Sequence, residues 1–431
     1  MDENREMDRR EIRRRRRVRN QIIAYVSLVV VIIAVVVGGI VTVKHFAKKS
    51  ADKKQKEELA KQLEELEESE EPVTISEPET AEVDPLDAKI DACIAEMPLE
   101  DKVAGLFMIT PEALTGVDTA VKAGDGTKEA LNQYAVGGLV YFAKNIQSQE
   151  QLTEMLTNTK MYSKYPIFLA VDEEGGEVSR VADAGIGVDD VGKMADIGAS
   201  GDTQKAYDAG QAIGTYLSEF GFNMDFAPVA DVLTNADNTT IGSRSFGSDA
   251  AVVASMVPSL VNGLEETGVS SCLKHFPGLG DTTVDTHDAM ATTERTLEQF
   301  QAEEFTAFQA GIDAGADFVM VSHVSAPALA GDNTPASISK EVVGILRDDL
   351  GFEGIIITDA LNMKAITEYY TSDEAAIKAI QAGADMILMP ENFEEAYNGV
   401  LQAVQAGTIS EERINESLKR IYRVKYADSV E

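Results

Sequence analysis

Residues 274–287 read KHFPGLGDTTVDTH and gather Lys274, His275, Asp281, Asp285 and His287 on one stretch of a 431-residue chain that has only four histidines. The preceding apolar run, Val269–Leu273, reads as a strand. The titratable groups therefore begin where a strand gives way to a loop, the place from which folds commonly present reactive side chains. A histidine gives and takes protons near neutral pH. Asp285, two residues before His287, can accept a hydrogen bond from one ring nitrogen, fix the tautomer and favour the imidazolium. Metal ligation by Asp281, Asp285, His287 and Asp288 is the competing reading, weakened because no second His-rich segment exists to complete a coordination shell.

Such a loop needs a scaffold, and the chain supplies a repeating one. Short apolar runs at Ala104–Ile109, Gly138–Phe142, Ile167–Val171, Phe222–Phe226, Val269–Leu273, Phe318–Val321, Gly354–Thr358 and Met386–Met389 read as strands. Amphipathic stretches such as Gln299–Ala314, Lys340–Leu350 and Ser372–Ala382 read as helices between them. Alternation of this kind predicts an α/β fold of parallel strands with helices outside, and eight repeats fit a (β/α)8 TIM-type barrel. A doubly wound open sheet is the structural alternative.

A barrel gathers its chemistry at the C-terminal ends of its strands. Polar residues stand at those places: Asp172, Glu174 and Arg180 after the third run, the APVAD segment and Arg244 after the fourth, Lys274 and His275 after the fifth, Ser322 and His323 after the sixth, and Asp359 after the seventh. Each alone has a structural explanation as a helix cap or a local ion pair. Their alignment at strand after strand does not.

The remaining composition bounds location and partners. A formal net charge of -35 argues against sequence-independent binding to nucleic acid, which requires a basic face. An Arg-rich tail occupies residues 1–21, and Ile22–Val43 runs for 22 residues without a charge, long enough to cross a bilayer. Nine arginines precede the span; Lys44, Lys48, Lys49, Lys53, Lys54 and Lys56 follow it, so the balance of charge predicts a cytoplasmic N-terminus and a domain outside the cytoplasm. A charged stalk, residues 44–90, then leads to the main domain, residues 91–431. Cys93 and Cys272 read as small hydrophobes and not as a disulfide.

The segments DEEGGEVSR, FAPVADV, GSRSFG, KHFPGLGDTTVDTH, VMVSHV and ITDALNMKAI, in this order, resemble the β-N-acetylglucosaminidases of glycoside hydrolase family 3 across residues 95–425. The resemblance implies Asp359 as a nucleophilic carboxylate, Asp285 and His287 as the acid/base pair, and sugar-holding roles for Asp172, Arg180, Arg244, Lys274 and His275. It implies no metal or organic cofactor, a glycan or muropeptide substrate derived from the cell wall, and a monomer. The chemistry is coherent: a retaining glycosidase needs a carboxylate nucleophile and a proton donor for the leaving oxygen, and a histidine can replace the second carboxylic acid.

The chain departs from the family pattern where GHG is common, having Gly278-Leu279-Gly280, and where Gln and Arg are usual around EGG, having Glu173 and Glu177. A β-glucosidase, a phosphate-dependent glycosidase and a membrane-tethered sugar-binding module stay open as alternatives. A phosphate-binding barrel enzyme is disfavoured because the segment Pro390-Glu391-Asn392, after the last run, shows neither the glycines nor the helix start that cradle a phosphate.

Overall fold

The computed structural model describes residues 84–284, 286 and 289–427. The expected Arg-rich tail, the span Ile22–Val43 and nearly all of the stalk lie outside the described residues, as do Asp285, His287 and Asp288. Among the described residues no helix is long and apolar enough to cross a membrane.

Among the described residues there are ten strands, separated by helices except where the third, fourth and fifth follow one another directly. They are β1 (Phe107–Ile109), β2 (Gly138–Val140), β3 (Phe168–Val171), β4 (Glu173–Gly175), β5 (Val178–Ser179), β6 (Met224–Asp225), β7 (Cys272–Phe276), β8 (Phe318–Val321), β9 (Ile355–Thr358) and β10 (Ile387–Leu388). One sheet has the order β10-β1-β2-β3-β6 and another β7-β8-β9, with every pairing in them parallel. Parallel single bridges, Met224 to Ser270 and Ile357 to Met386, link the two sheets. The α/β expectation holds. Parallel strands covered by helices read as continuous apolar runs, and β3 is the clear case, with Phe168, Leu169, Ala170 and Val171 all buried. Truncating such a side chain, Leu169→Ala for instance, costs about 2–5 kcal/mol.

The helices form for local reasons. Helix Thr203–Phe220 starts where the Asp202 carboxylate accepts from the Gln204 N–H, and it stops at Gly221, whose φ of 106° suits glycine. Ala206, Gly210, Ile213, Leu217 and Phe220 recur at helical spacing and are buried. This face packs on helix Ala250–Glu265. The packing needs Gly210, since a Cβ there would sit 2.4 Å from the Leu260 carbonyl oxygen.

Several expectations require correction. Ala104 closes the helix Leu99–Ala104, so the first strand begins only at Phe107. The fifth run was expected to end at Leu273, yet β7 continues through Lys274 and His275 to Phe276, because counter-charges from other strands let both polar residues be buried. Gln299–Ala314 is not one helix: Glu303, at φ -125° and ψ -81°, separates Leu297–Ala302 from Glu304–Asp313, and both Glu303 and Glu304 meet Arg295. Lys340–Leu350 is an α-turn, Lys340–Gly344, continued by a π-helix, Ile345–Asp349. The DEEGGEVSR segment, placed after the third run with no structure assigned to it, contains the antiparallel hairpin β4-β5. Helix Pro85–Glu96 buries Ile90 and Ile94, so ordered packing starts before residue 91. The described residues between 84 and 427 belong to one compact unit.

Candidate active site

The C-terminal ends of the parallel strands surround a cavity of about 620 Å³. Asp172, Arg180, Arg244, Lys274, His275 and Asp359 all line it. Six of the eight sequence-selected residues thus meet at one place, drawn from segments as far apart as β3 and β9.

Lys274 projects from β7 with its side chain only 2% exposed, and its Nζ lies 2.7 Å from Asp172 Oδ1 and 2.5 Å from Glu174 Oε1. Arg244 grips the same Glu174 with both edges of a fork: Nε to Oε2 at 2.7 Å and Nη2 to Oε1 at 2.8 Å. Burial alone pushes the Glu174 carboxyl upward, but Lys274 and Arg244 outweigh it and hold the group at about 2. Burial likewise penalises the Lys274 ammonium, and Asp172 and Glu174 reverse the effect, raising it above the usual lysine value. Both groups are therefore ionised at neutral pH. Asp172 keeps its side chain 21% exposed at the cavity, where its carboxylate can accept hydrogen bonds from hydroxyl donors.

The sequence placed Glu174 at a strand end but assigned it no role, although it is the centre of this network. Its position is fixed by its neighbours. Glu173 is fully buried, and its carboxylate accepts from the N–H groups of Val181 and Ala182 and from the Tyr216 hydroxyl. The Glu173 N–H in turn donates to Asp225 Oδ1 at 2.9 Å. These bonds fold the hairpin over the strand ends and bring Arg180, just past β5, to the cavity rim. Glu177 stays exposed at that rim and accepts from the Ser243 hydroxyl at 2.7 Å, tying the hairpin to the turn that carries Arg244.

His275 is oriented by Asp231, a second residue that sequence reasoning passed over. Asp231 Oδ2 stands 2.7 Å from His275 Nδ1, and its Oδ1 accepts from the Leu279 N–H at 2.6 Å. A carboxylate offers only lone pairs, so Nδ1 is the ring nitrogen that donates in this contact. Asp231 is visible in the sequence only as the aspartate of FAPVADV, with nothing to mark its partner 44 residues away. Leu279, in the place of the usual histidine of GHG, lines the cavity with its side chain. The following Gly280 packs so closely that a Cβ would meet the Val232 carbonyl oxygen at 1.7 Å, which fixes the course of the loop.

Asp359 follows β9 directly. Its N–H donates to the Val321 carbonyl at 2.8 Å, and its Oδ1 accepts from the Ala360 N–H at 2.7 Å. His323, buried after β8, donates from Nε2 to the Ala360 carbonyl at 2.9 Å, with Nδ1 accepting from the Ser337 hydroxyl at 2.8 Å. The peptide next to Asp359 is thereby held from below. Met389, at the far wall, adopts φ 44°, an uncommon conformation for a side-chain-bearing residue of a kind that clusters at functional sites.

Asp285 and His287 lie outside the described residues, but Thr286 between them lines the cavity, and its carbonyl accepts from the Ala365 N–H at 3.4 Å. Among the described residues no group of three or more His, Cys, Asp or Glu is placed to hold a metal. Asp281 Oδ2 is engaged by the Thr293 hydroxyl at 2.8 Å. The sequence reading of Pro390–Asn392 needs correction, since a helix does start there: Asn392 caps Phe393–Gln405. Its side chain occupies the Glu395 N–H, and Glu394 and Glu395 fill the first turn with negative charge, so it is no phosphate cradle.

Comparison with known proteins points the same way. Residues 98–424 match the glycosyl hydrolase family 3 N terminal domain. Beta-hexosaminidase A of Pseudoalteromonas piscicida is 32% identical over 328 residues, which are 69% of this chain and 54% of that protein. The beta-hexosaminidase of Stenotrophomonas maltophilia (strain K279a) is 34% identical over 282 residues, 63% of this chain and 82% of its own length. Among solved structures, a glycoside hydrolase family 3 beta-N-acetylglucosaminidase from Paenibacillus sp. str. FPU-7 is similar with a TM-score of 0.72 and 36% identity, covering 78% of this chain and 64% of that one. The chain thus spans about half the length of the Pseudoalteromonas relative and under two thirds of the Paenibacillus structure.

Proposed function

The chain belongs to glycosyl hydrolase family 3, and from that premise we propose that it is a retaining exo-β-N-acetylglucosaminidase acting on wall-derived glycans. The observation that carries this reading is the cavity in which Asp359 faces the Lys274-centred network of Asp172, Glu174 and Arg244. A terminal sugar needs bidentate acceptors and fixed donors for its hydroxyls, and this network supplies both. Asp359 then attacks the anomeric carbon, forming the glycosyl-enzyme as the glycosidic bond breaks and its electron pair passes to the leaving oxygen. His287, oriented by Asp285, protonates that oxygen and afterwards takes a proton from the water that releases the sugar. The position of Thr286 on the cavity wall supports a role for the two residues flanking it. Preference for an N-acetylated sugar is supported by the similarity to the Paenibacillus beta-N-acetylglucosaminidase.

Release of chromophore from an aryl β-N-acetylglucosaminide and from the matching aryl β-glucoside tests the reading in the full chain and in its His287→Ala variant. Turnover of the first substrate, with a loss of two or more orders of magnitude in the variant, is expected. Turnover of the glucoside alone would reassign the substrate, and inactivity on both would favour a sugar-binding module.

We also infer that the eight parallel strands close into a (β/α)8 barrel. The bridges Met224 to Ser270 and Ile357 to Met386, which join the sheets at both edges, support this. A further proposal, resting on the sequence alone, is that Ile22–Val43 anchors the protein with its catalytic domain outside the cytoplasm. Protease added to intact cells should then remove the domain, and protection would reverse the orientation.

A further inference from the structure

A second lobe of about 580 Å³ opens beside the main cavity. Phe142, Arg180, Asn362 and Met389 line both spaces, and Thr110 and Lys144 belong to the second alone. The two spaces differ in charge. The main cavity has four carboxylates, Asp172, Glu174, Glu177 and Asp359, against Arg180, Arg244 and Lys274, and the last two are engaged by Asp172 and Glu174. Among the described residues the lining of the second lobe has none, and it has two cations, Arg180 and Lys144.

Neither cation is fully engaged by an acid. The Lys144 side chain is 49% exposed, and its Nζ lies 3.6 Å from Glu112 Oε1, beyond hydrogen-bond length. That oxygen already accepts from the Ala120 N–H at 2.9 Å and from Asn145 Nδ2 at 2.6 Å. Arg180 stands at the junction of the two spaces, and its Nε is buried without a hydrogen-bond partner among the described residues. A buried donor left open in this way is costly unless something arrives to accept from it. In a chain of net charge -35, a lobe with a local excess of positive charge is a specific feature and not the general surface.

We propose that this lobe receives the group linked to the anomeric oxygen of the terminal sugar, and that Lys144 selects substrates in which that group carries a carboxylate. The inference rests on the glycosidase reading above and adds the residue that sets preference beyond the terminal sugar. In the main cavity a carboxylate meets two cations, Lys274 and Arg244, that Asp172 and Glu174 already engage, and beside them the carboxylates of Glu177 and Asp359. Displaced into the second lobe, it meets the Lys144 ammonium, with Arg180 at the threshold.

The test uses the full chain and steady-state kinetics on two substrates, 4-nitrophenyl β-N-acetylglucosaminide and its 3-carboxy-4-nitrophenyl counterpart. Lys144→Gln is expected to raise KM for the carboxylated substrate roughly five-fold, the scale of a partly exposed ion pair. It leaves kcat and the neutral substrate unchanged. Lys144→Arg restores the preference, and added salt erodes it in the parent protein. Equal effects on both substrates, or none on either, would overturn the assignment. A parent protein that cleaves neither substrate would instead sink the glycosidase reading on which it stands.

Discussion

The two ends of the parallel strands bury lysines in opposite ways. At the C-terminal ends, Lys274 is enclosed between Asp172 and Glu174, and the lysine is held charged. At the N-terminal ends, Lys425 reaches from the last helix to the Gly137 carbonyl at 2.8 Å, with its ammonium 4.7 Å from the centre of the Phe168 ring. Carbonyl and ring faces compensate burial far less than two carboxylates do. Burial accordingly lowers the Lys425 ammonium to about 7. The N-terminal ends do contain a paired carboxylate, Asp385, bound by Arg347 at 2.7 Å and Arg420 at 3.1 Å. That cluster fastens the last helix beneath β9 and β10, and none of its residues lines the cavity at the C-terminal ends. Burial does not by itself mark a functional charge; burial with opposite charges facing an open cavity does.

The largest effect expected from this contrast is at Glu174. Glu174→Gln leaves Lys274 and Arg244 without their shared counter-charge, and loss of one partner from a buried ion network costs about 3–5 kcal/mol. Urea denaturation measures the loss, and a stability within about 1 kcal/mol of the parent would contradict the network's importance. The pH dependence has a definite sign. The Glu174 value is depressed from 4.5 to about 2, so its contribution is complete above 4.5 and is lost as pH falls toward 2. The Lys274 value is raised, so its contribution is present below 10.5 and is lost only as pH climbs through the higher folded value.

Lys425 behaves oppositely and more weakly. Its folded value, about 7, lies below the ordinary 10.5, so between these pH values the unfolded chain holds a proton that the folded one lacks. Stability from this group therefore rises with pH. The expected rise between pH 6 and pH 9 is about 1–2 kcal/mol, less than complete enclosure would give because part of the side chain remains in water. Lys425→Met should flatten that slope in paired denaturation curves; an unchanged slope would place the ammonium in solvent. The smallest expected effect is at the rim, where Glu177→Gln changes an exposed carboxylate and should move stability by less than about 0.5 kcal/mol.

The same contrast explains what the sequence made legible. Apolar runs located all eight parallel strands to within a few residues, because a strand buried on both faces cannot hide its composition. Asp359 was legible because it is the first polar residue after such a run. Lys274 and His275 were expected beyond their strand, since a charged residue inside an apolar run normally signals its end. They are inside β7 because Asp172, 102 residues away, and Asp231, 44 residues away, supply the compensating charge. No local pattern carries that information. Glu174 was noted at its strand end but given no role, and Asp231 was missed, for the same reason: each is one acidic letter in a motif until the fold supplies its partner. The hairpin β4-β5 was hidden by its brevity, and the break at Glu303 by a helical pattern that continues on both sides of it.

The account rests centrally on Asp359 acting as nucleophile from the C-terminal end of β9. The configuration of the first-formed sugar, followed by NMR during cleavage of an aryl β-N-acetylglucosaminide by the full chain and by Asp359→Asn, tests it most directly. The predicted result is β-configured product from the parent and loss of turnover by three or more orders of magnitude in the variant. An α-configured first product, or an Asp359→Asn variant as active as the parent, would contradict it.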